Sequence, residues 1–89
     1  MQQVYLIVSG TVQGVCYRML CKKIAVSYDL KGWVRNLPTG EVEVLAQGEK
    51  EKLVKLVDWC KTGPPHANVV NVEVQWGNVI NKFESFNIK

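Results

Sequence analysis

The segment from Gly10 to Arg18 combines residue types that can bind a phosphate group, because it brackets a turn with glycines and leads directly into an apolar stripe typical of a helix. The first turn of a helix leaves backbone N–H groups without partners and carries partial positive charge. Gly14 lets an anion approach the backbone, and Arg18 adds a planar, permanently charged group that can bind two phosphate oxygens. The pattern indicates an anion site, with a plain tight turn and a surface arginine as the alternative.

The chain lacks the residues that other kinds of phosphate-binding or phosphatase site require. A cysteine-dependent phosphatase requires a cysteine six residues before the arginine, where this chain has Val12. A nucleotide-binding loop of the form Gly-x4-Gly-Lys-Ser/Thr is absent, as is a cluster of carboxylates with histidines. His66, the single histidine, follows two prolines and is interpreted as a loop residue. We therefore predict neither a metal site nor a cofactor.

Two periodicities alternate along the chain and predict the elements that position this loop. Apolar residues at every second position indicate strands, and spacings of three and four indicate helices. The predicted strands span Val4 to Ser9, Lys31 to Leu37, Glu41 to Gln47 and Val70 to Trp76, with a weaker final strand at Phe86 and Ile88. The predicted helices run from Tyr17 to about Asp29 and from Lys50 to Thr62.

The order of these elements predicts an α+β fold. A β-α-β-β-α-β order, with a possible terminal strand, and a hairpin turn at Pro38-Thr39-Gly40 match the ferredoxin-like arrangement, in which two right-handed crossovers place both helices on one face of an antiparallel sheet. The chain of 89 residues is interpreted as one domain, residues 1–89. Many unrelated activities occur on this fold, so the fold alone does not indicate a function.

Two motifs carry a resemblance to a known family. The run Gly-x-Val-Gln-Gly-Val-x-Tyr-Arg at positions 10 to 18 resembles the acylphosphatase signature, and Leu30 to Leu37 followed by Thr39 to Glu43 resembles the second motif of that family. The resemblance implies hydrolysis of small acyl phosphates to a carboxylate and inorganic phosphate without a metal. It implies that Arg18 clamps the phosphoryl group and that Asn36 orients the attacking water. The phosphate-binding residues would be Gly14, Val15, Cys16, Tyr17 and Arg18.

The sequence departs from the family pattern at a few positions and leaves other functions open. Cys16 stands where glycine or a bulky apolar residue is more familiar, which raises the hypothesis of redox inactivation against that of an inert filler. The alternative to catalysis is a ferredoxin-like module that binds an anion or RNA. The acidic run from Glu41 to Leu45 opposes RNA binding, because RNA-recognition modules of this fold carry a basic and aromatic signature on that strand.

Composition sets the expected surroundings of the protein. A formal net charge of +3 with dispersed lysines favours small anions over nucleic acid. The start of the chain lacks the pattern of a secretion signal, and three cysteines, Cys16, Cys21 and Cys60, match no disulfide framework. We expect a cytoplasmic monomer that acts on a small substrate and binds neither nucleic acid nor membrane. The identity of the physiological acyl group stays open at this stage.

Overall fold

The computed structural model describes residues 1–89 and contains the predicted elements in the predicted order. The weak terminal strand is also present, and the β-α-β-β-α-β order is therefore followed by one further strand. The strands are β1 (Gln2–Thr11), β2 (Lys31–Asn36), β3 (Val42–Gly48), β4 (Asn68–Asn78) and β5 (Phe86–Ile88), and the helices are α1 (Tyr17–Ser27) and α2 (Lys50–Thr62).

The sheet has the strand order β4-β1-β3-β2-β5. The first four of these strands pair antiparallel, as predicted, with Leu6 opposite Val44 on one side and opposite Val74 on the other. The terminal strand β5 instead pairs parallel to β2, with Val34 opposite Ile88. The complete sheet is therefore mixed, and the chain returns at its C-terminus to the edge beside β2.

One face of the sheet and both helices share a single hydrophobic core, as the ferredoxin-like prediction requires. Alternate residues of β1, namely Val4, Leu6 and Val8, are completely buried, because strand side chains point alternately to the two faces. The helices contribute one stripe each to the same cluster. Its buried helical members are Tyr17, Cys21 and Ala25 from α1 and Leu53, Leu56, Val57 and Cys60 from α2.

The strands β1 and β4 are longer than their apolar alternation predicted. They remain paired beyond Ser9, where the register shifts and Gly10 lies opposite Val69. A Cβ atom at Gly10 would lie only 2.1 Å from the carbonyl oxygen of Asn68, and its φ of +122° is rarely adopted by other residues. Glycine therefore lets the central strand continue to Thr11 and deliver the following loop to the edge of the sheet.

The hairpin between β2 and β3 is closed by hydrogen bonds from Leu37 N to Glu41 O, 2.8 Å, and from Gly40 N to Leu37 O, 3.1 Å. This closure leaves Asn36 as the last residue of β2, opposite Val42.

None of the helices has the length and apolar character needed to cross a membrane.

Candidate active site

The loop between β1 and α1 turns sharply through two left-handed residues. Gly14 has φ of +76° with open space where a Cβ would lie, and Cys16 has φ of 64° and ψ of 21°. Cys16 is the N-cap residue directly before α1, and its side chain makes no capping hydrogen bond. The first turn of α1 also lacks an acidic residue. The positive end of this helix is therefore not neutralised by a neighbouring side chain.

The backbone amides of the loop are free of protein acceptors. No N–H group from Gly14 to Arg18 donates to a carbonyl or side chain, and the first helical bond runs from Leu20 N to Cys16 O at 3.1 Å. Free amides at a helix N-terminus are suited to hydrogen bonding with an anion. Five consecutive residues of the loop thus have backbone donors without a protein acceptor.

A cavity of about 200 Å³ lies against this loop and contains both residues predicted to be catalytic. Arg18 is on the first turn of α1 and Asn36 at the end of β2, so 18 positions of sequence separate two side chains that line the same space. The complete lining consists of Val12, Gly14, Cys16, Tyr17, Arg18, Met19, Asn36 and Ile88. The fold brings together the two motifs that the sequence keeps apart.

The two arginines of the chain differ in their partners. Arg35 donates from Nε to Glu43 and lies 5.1 Å above the ring of Trp33, on the sheet face opposite the helices. Arg18 forms neither an ion pair nor a side-chain hydrogen bond. Because none of its five donors is engaged, the Arg18 guanidinium can present two of them side by side to an anion in the cavity.

The side-chain carboxamide of Asn36 also has no protein partner. Its Oδ1 atom is buried and accepts no hydrogen bond. A buried polar atom without a partner costs about 1 to 3 kcal/mol, which a folded protein normally avoids. Rotation about the last torsion exchanges Oδ1 and Nδ2, so that either a donor or an acceptor can be presented to a molecule in the cavity. The arrangement suits a residue that hydrogen bonds to water or ligand.

Gln13 links the loop to the hairpin that carries Asn36. Its Nε2 donates to Leu37 O and to Glu41 O, both at 2.8 Å. Both acceptors belong to the residues that close the hairpin. The sequence motif contained Gln13, but its role was missed because its acceptors lie 24 and 28 positions away.

Most of the residues predicted to bind phosphate line the cavity. Val15 is the exception, since its half-buried side chain packs against the core and only its backbone amide remains for that role. Val12, Met19 and Ile88 line the cavity without having been predicted. The local sequence marked Ile88 as part of a weak strand but not as a cavity residue, because it reaches the cavity only through the pairing of β5 with β2.

The three cysteines occupy two different environments. Cys16 is exposed at the cavity, whereas Cys21 and Cys60 are buried, as their positions on apolar stripes predicted. A hydrogen bond with Cys60, together with burial, raises the pKa of the Cys21 thiol well above its ordinary value. Burial is also the main reason that the pKa of Tyr17 is raised, so both groups stay protonated in the folded protein.

No three side chains of His, Cys, Asp or Glu come together as a possible metal site.

These features define a ferredoxin-like α+β domain with a small, positively charged cavity at the start of α1. The acylphosphatase family model matches residues 4–88. A curated acylphosphatase of Methylococcus capsulatus is 43% identical over 86 residues, which cover 97% of this chain and 94% of the relative. The chain belongs to the acylphosphatase family, as its two motifs predicted.

Solved structures of the family have the same architecture. The crystal structure of acylphosphatase from Bacillus subtilis superimposes with a TM-score of 0.97 at 35% identity, covering 100% of this chain and 99% of that one. The acylphosphatase structure from Coxiella burnetii gives a TM-score of 0.93 at 38% identity and covers 99% and 92% of the two chains. The ferredoxin-like fold is confirmed, and so is the prediction of an acylphosphatase that hydrolyses acyl phosphates.

Proposed function

We propose that this chain hydrolyses the carboxyl–phosphate bond of small acyl phosphates in the cavity shared by Arg18 and Asn36, releasing a carboxylate and inorganic phosphate. Its family supports the reaction. The observation that carries the assignment of the site is that one unpaired arginine and one unpartnered carboxamide line the same cavity of about 200 Å³, at a helix N-terminus with free amides.

The phosphoryl group is held by the loop and by Arg18. The amides of Gly14, Val15, Cys16, Tyr17 and Arg18 donate to its oxygens, and the partial positive charge of α1 favours its negative charge. The Arg18 guanidinium adds two parallel charge-assisted hydrogen bonds. These groups are in place before the substrate arrives, so that charge developing on the phosphoryl oxygens in the transition state needs little rearrangement.

Asn36 orients the water that attacks phosphorus in line with the leaving carboxylate. A carboxamide hydrogen bonds to water but is too weak a base to take its proton at neutral pH. The proton therefore passes to an oxygen of the phosphoryl group itself, as the family resemblance implies. Orientation of a single water can lower the barrier because the reacting atoms are already close and aligned.

The leaving group makes metal-free hydrolysis feasible. An acyl phosphate is a mixed anhydride, and the carboxylate released from it is stable without protonation or metal coordination. The protein then supplies positioning and charge stabilisation, which are the main contributions in phosphoryl transfer. We propose that neither a metal nor a cofactor takes part.

The protein acts as a cytoplasmic monomer in this proposal. The residues assigned to the site come from one chain, and the exposed thiol of Cys16 suits a reducing compartment. Glu41, directly before β3, and Glu43 on β3 lie where RNA-recognition modules of this fold carry basic and aromatic residues, which disfavours RNA. Neither nucleic acid nor membrane is a partner in the proposed function.

The test is hydrolysis of a generic aromatic acyl phosphate by the purified protein. We expect turnover that a chelator does not reduce and that inorganic phosphate inhibits competitively. Arg18→Ala is expected to lower kcat/KM by at least roughly 10²-fold, as removal of a transition-state donor does in other enzymes. Arg35→Ala removes an identical side chain outside the cavity and serves as the matched control. Turnover by Arg18→Ala that equals turnover by Arg35→Ala would contradict the assignment.

A further inference from the structure

The cavity has an apolar side that the reaction as described does not use. Met19 follows Arg18 on the first turn of α1, and Ile88 lies on β5, opposite Val34 and beside the strand end that carries Asn36. Both side chains line the cavity, yet 59% of Met19 and 41% of Ile88 remain exposed. Exposed apolar groups beside a polar centre are typical of ligand-binding sites.

We propose that Met19 and Ile88 form an apolar rim that binds the acyl group, so that the preferred substrates are acyl phosphates with an uncharged aliphatic or aromatic acyl group. This inference rests on the proposed function. With phosphate held by Arg18 and the loop amides, the acyl group can extend over these two side chains, which line the same cavity and remain partly exposed. The acyl chain then covers apolar surface that water otherwise contacts.

The charges of the lining also favour an uncharged acyl group. Arg18 is the one charged residue among those that line the cavity, and the phosphoryl group occupies it. A second phosphate or a carboxylate on the acyl chain would be desolvated against Met19 and Ile88 without a cation to compensate. Substrates with a second negative group should therefore react more slowly than uncharged ones of similar length.

The experiment compares kcat/KM for acetyl, propionyl, butyryl and succinyl phosphates. For the wild type we expect a rise of about two- to threefold per added methylene, less than the roughly fourfold of complete burial because the rim is open. Succinyl phosphate is expected to fall below butyryl phosphate. In the double variant Met19→Gln/Ile88→Thr, which adds polar atoms at both positions and shortens the side chain at position 88 by one carbon, the dependence on chain length should nearly vanish.

Ile80→Thr is the matched control, because Ile80 is 89% exposed and lies outside the cavity. It should keep the wild-type dependence on chain length. The inhibition constant of inorganic phosphate shows whether the double variant retains its phosphoryl site, and Met19→Gln alone replaces it if the double variant does not fold. The proposed apolar rim is refuted if the double variant keeps the wild-type dependence of kcat/KM on chain length, or if succinyl phosphate is hydrolysed faster than butyryl phosphate. Absence of hydrolysis for every substrate would instead refute the proposed function.

The hydrogen bonds of Gln13 support a second, independent inference. Its Nε2 joins the loop that carries the phosphate-binding amides to Leu37 and Glu41, directly after Asn36. We infer that Gln13 is a positioning residue, which sets the distance between the bound phosphoryl group and the water held by Asn36. Without this link the loop can still bind the phosphoryl group and Asn36 can still bind water, but the water and the phosphorus atom are no longer held at the distance and angle that attack requires.

Gln13→Met tests this role, since methionine keeps the length of the side chain and removes its donors. We expect kcat to fall by roughly tenfold while the inhibition constant of phosphate changes by less than about threefold. Gln13→Asn, which retains the amide on a shorter side chain, should give an intermediate kcat.

Gln47→Met is the matched control for a merely structural effect. Gln47 is buried, whereas Gln13 is half-buried, and like Gln13 it links a loop to the sheet, donating to Asn81 O at 2.6 Å and accepting from Phe83 N at 3.0 Å. Its variant should lose thermal stability and keep its kcat. If Gln13→Met lowers the Tm but leaves kcat at the level of Gln47→Met, Gln13 has no positioning role.

Discussion

The hydroxyl of Tyr17 donates a hydrogen bond of 2.7 Å to the carbonyl oxygen of Cys60, which joins the first residue of α1 to the last turn of α2. This carbonyl has no helical partner, because the residue four positions later is Pro64, which lacks an N–H group. The Tyr17 ring also lies 5.1 Å from that of Trp59, centroid to centroid. The turn that carries Arg18 is thereby anchored to the second helix.

Tyr17→Phe is therefore expected to destabilise the fold, because it leaves the Cys60 carbonyl buried without a donor. The expected loss is about 1 to 3 kcal/mol in the free energy of unfolding. For a domain of this size, each kcal/mol corresponds to a fall of about 4 to 8 °C in Tm. Thermal and urea unfolding of the wild type and of Tyr17→Phe measure this loss, and an unchanged Tm would show that the hydrogen bond contributes nothing to stability.

Substitutions of Asn36 separate orientation of water from binding of phosphate. Asn36→Ala should lower kcat by roughly 10²-fold or more and change the inhibition constant of phosphate little. Asn36→Asp keeps the shape of the side chain but adds a negative charge beside the phosphoryl group, so that kcat and phosphate affinity should both fall. Steady-state kinetics with phosphate as inhibitor measure kcat and phosphate affinity separately and so distinguish orientation of water from binding of phosphate. A loss of phosphate affinity larger than the loss of kcat in Asn36→Ala would make Asn36 a binding residue only.

The raised pKa of Tyr5 leads us to expect that the free energy of unfolding decreases at alkaline pH. A hydrogen bond to Glu43, with a smaller effect of burial, raises the pKa of Tyr5 from 10.0 to about 12. Because the folded protein holds this proton more tightly than the unfolded chain, the contribution of Tyr5 is complete below about pH 10 and is lost as the pH rises to about 12. Urea unfolding midpoints across this range should fall more steeply for the wild type than for Tyr5→Phe. Parallel pH profiles would exclude this contribution.

Gly32 is required by the close approach of β2 and β3. It has φ of +139°, and a Cβ atom there would lie 1.9 Å from the carbonyl oxygen of Leu45. Gly32→Ala should cost about 3 kcal/mol or more, since the clash is with backbone and the φ is strained. A Cβ atom at Gly77 would instead point into open space, with no neighbour within 4 Å, and Gly77→Ala should stay within about 0.5 kcal/mol of the wild type. Denaturant unfolding measures both, and similar losses would contradict the explanation.

Much of the fold follows from local patterns in the sequence. The alternation in Val4 to Val8 predicts a strand with one buried face, and all three residues of that face are completely buried. The spacing of Leu53, Leu56 and Cys60 similarly predicts the buried side of α2. Such patterns suffice because the burial of one face depends mainly on which residues lie two, three or four positions apart.

Pairing between distant segments was less predictable. The terminal strand β5 carries little alternation, and its parallel position beside β2 depends on space left at that edge of the sheet. The length of β1 likewise depends on having β3 and β4 as partners on its two sides. Neither partner is encoded in the residues of the strand itself, because backbone hydrogen bonds carry no sequence signature.

The sequence by itself determined the chemical groups of the site, namely a glycine-containing loop before a helix, Arg18 and Asn36, through residue types and short spacings. Only the tertiary structure decided that these groups share one cavity, that Gln13 joins their two segments and that Ile88 also lines the cavity. The physical reason is that residue type decides what a side chain can bond to, whereas proximity between distant side chains depends on how the whole sheet and both helices pack.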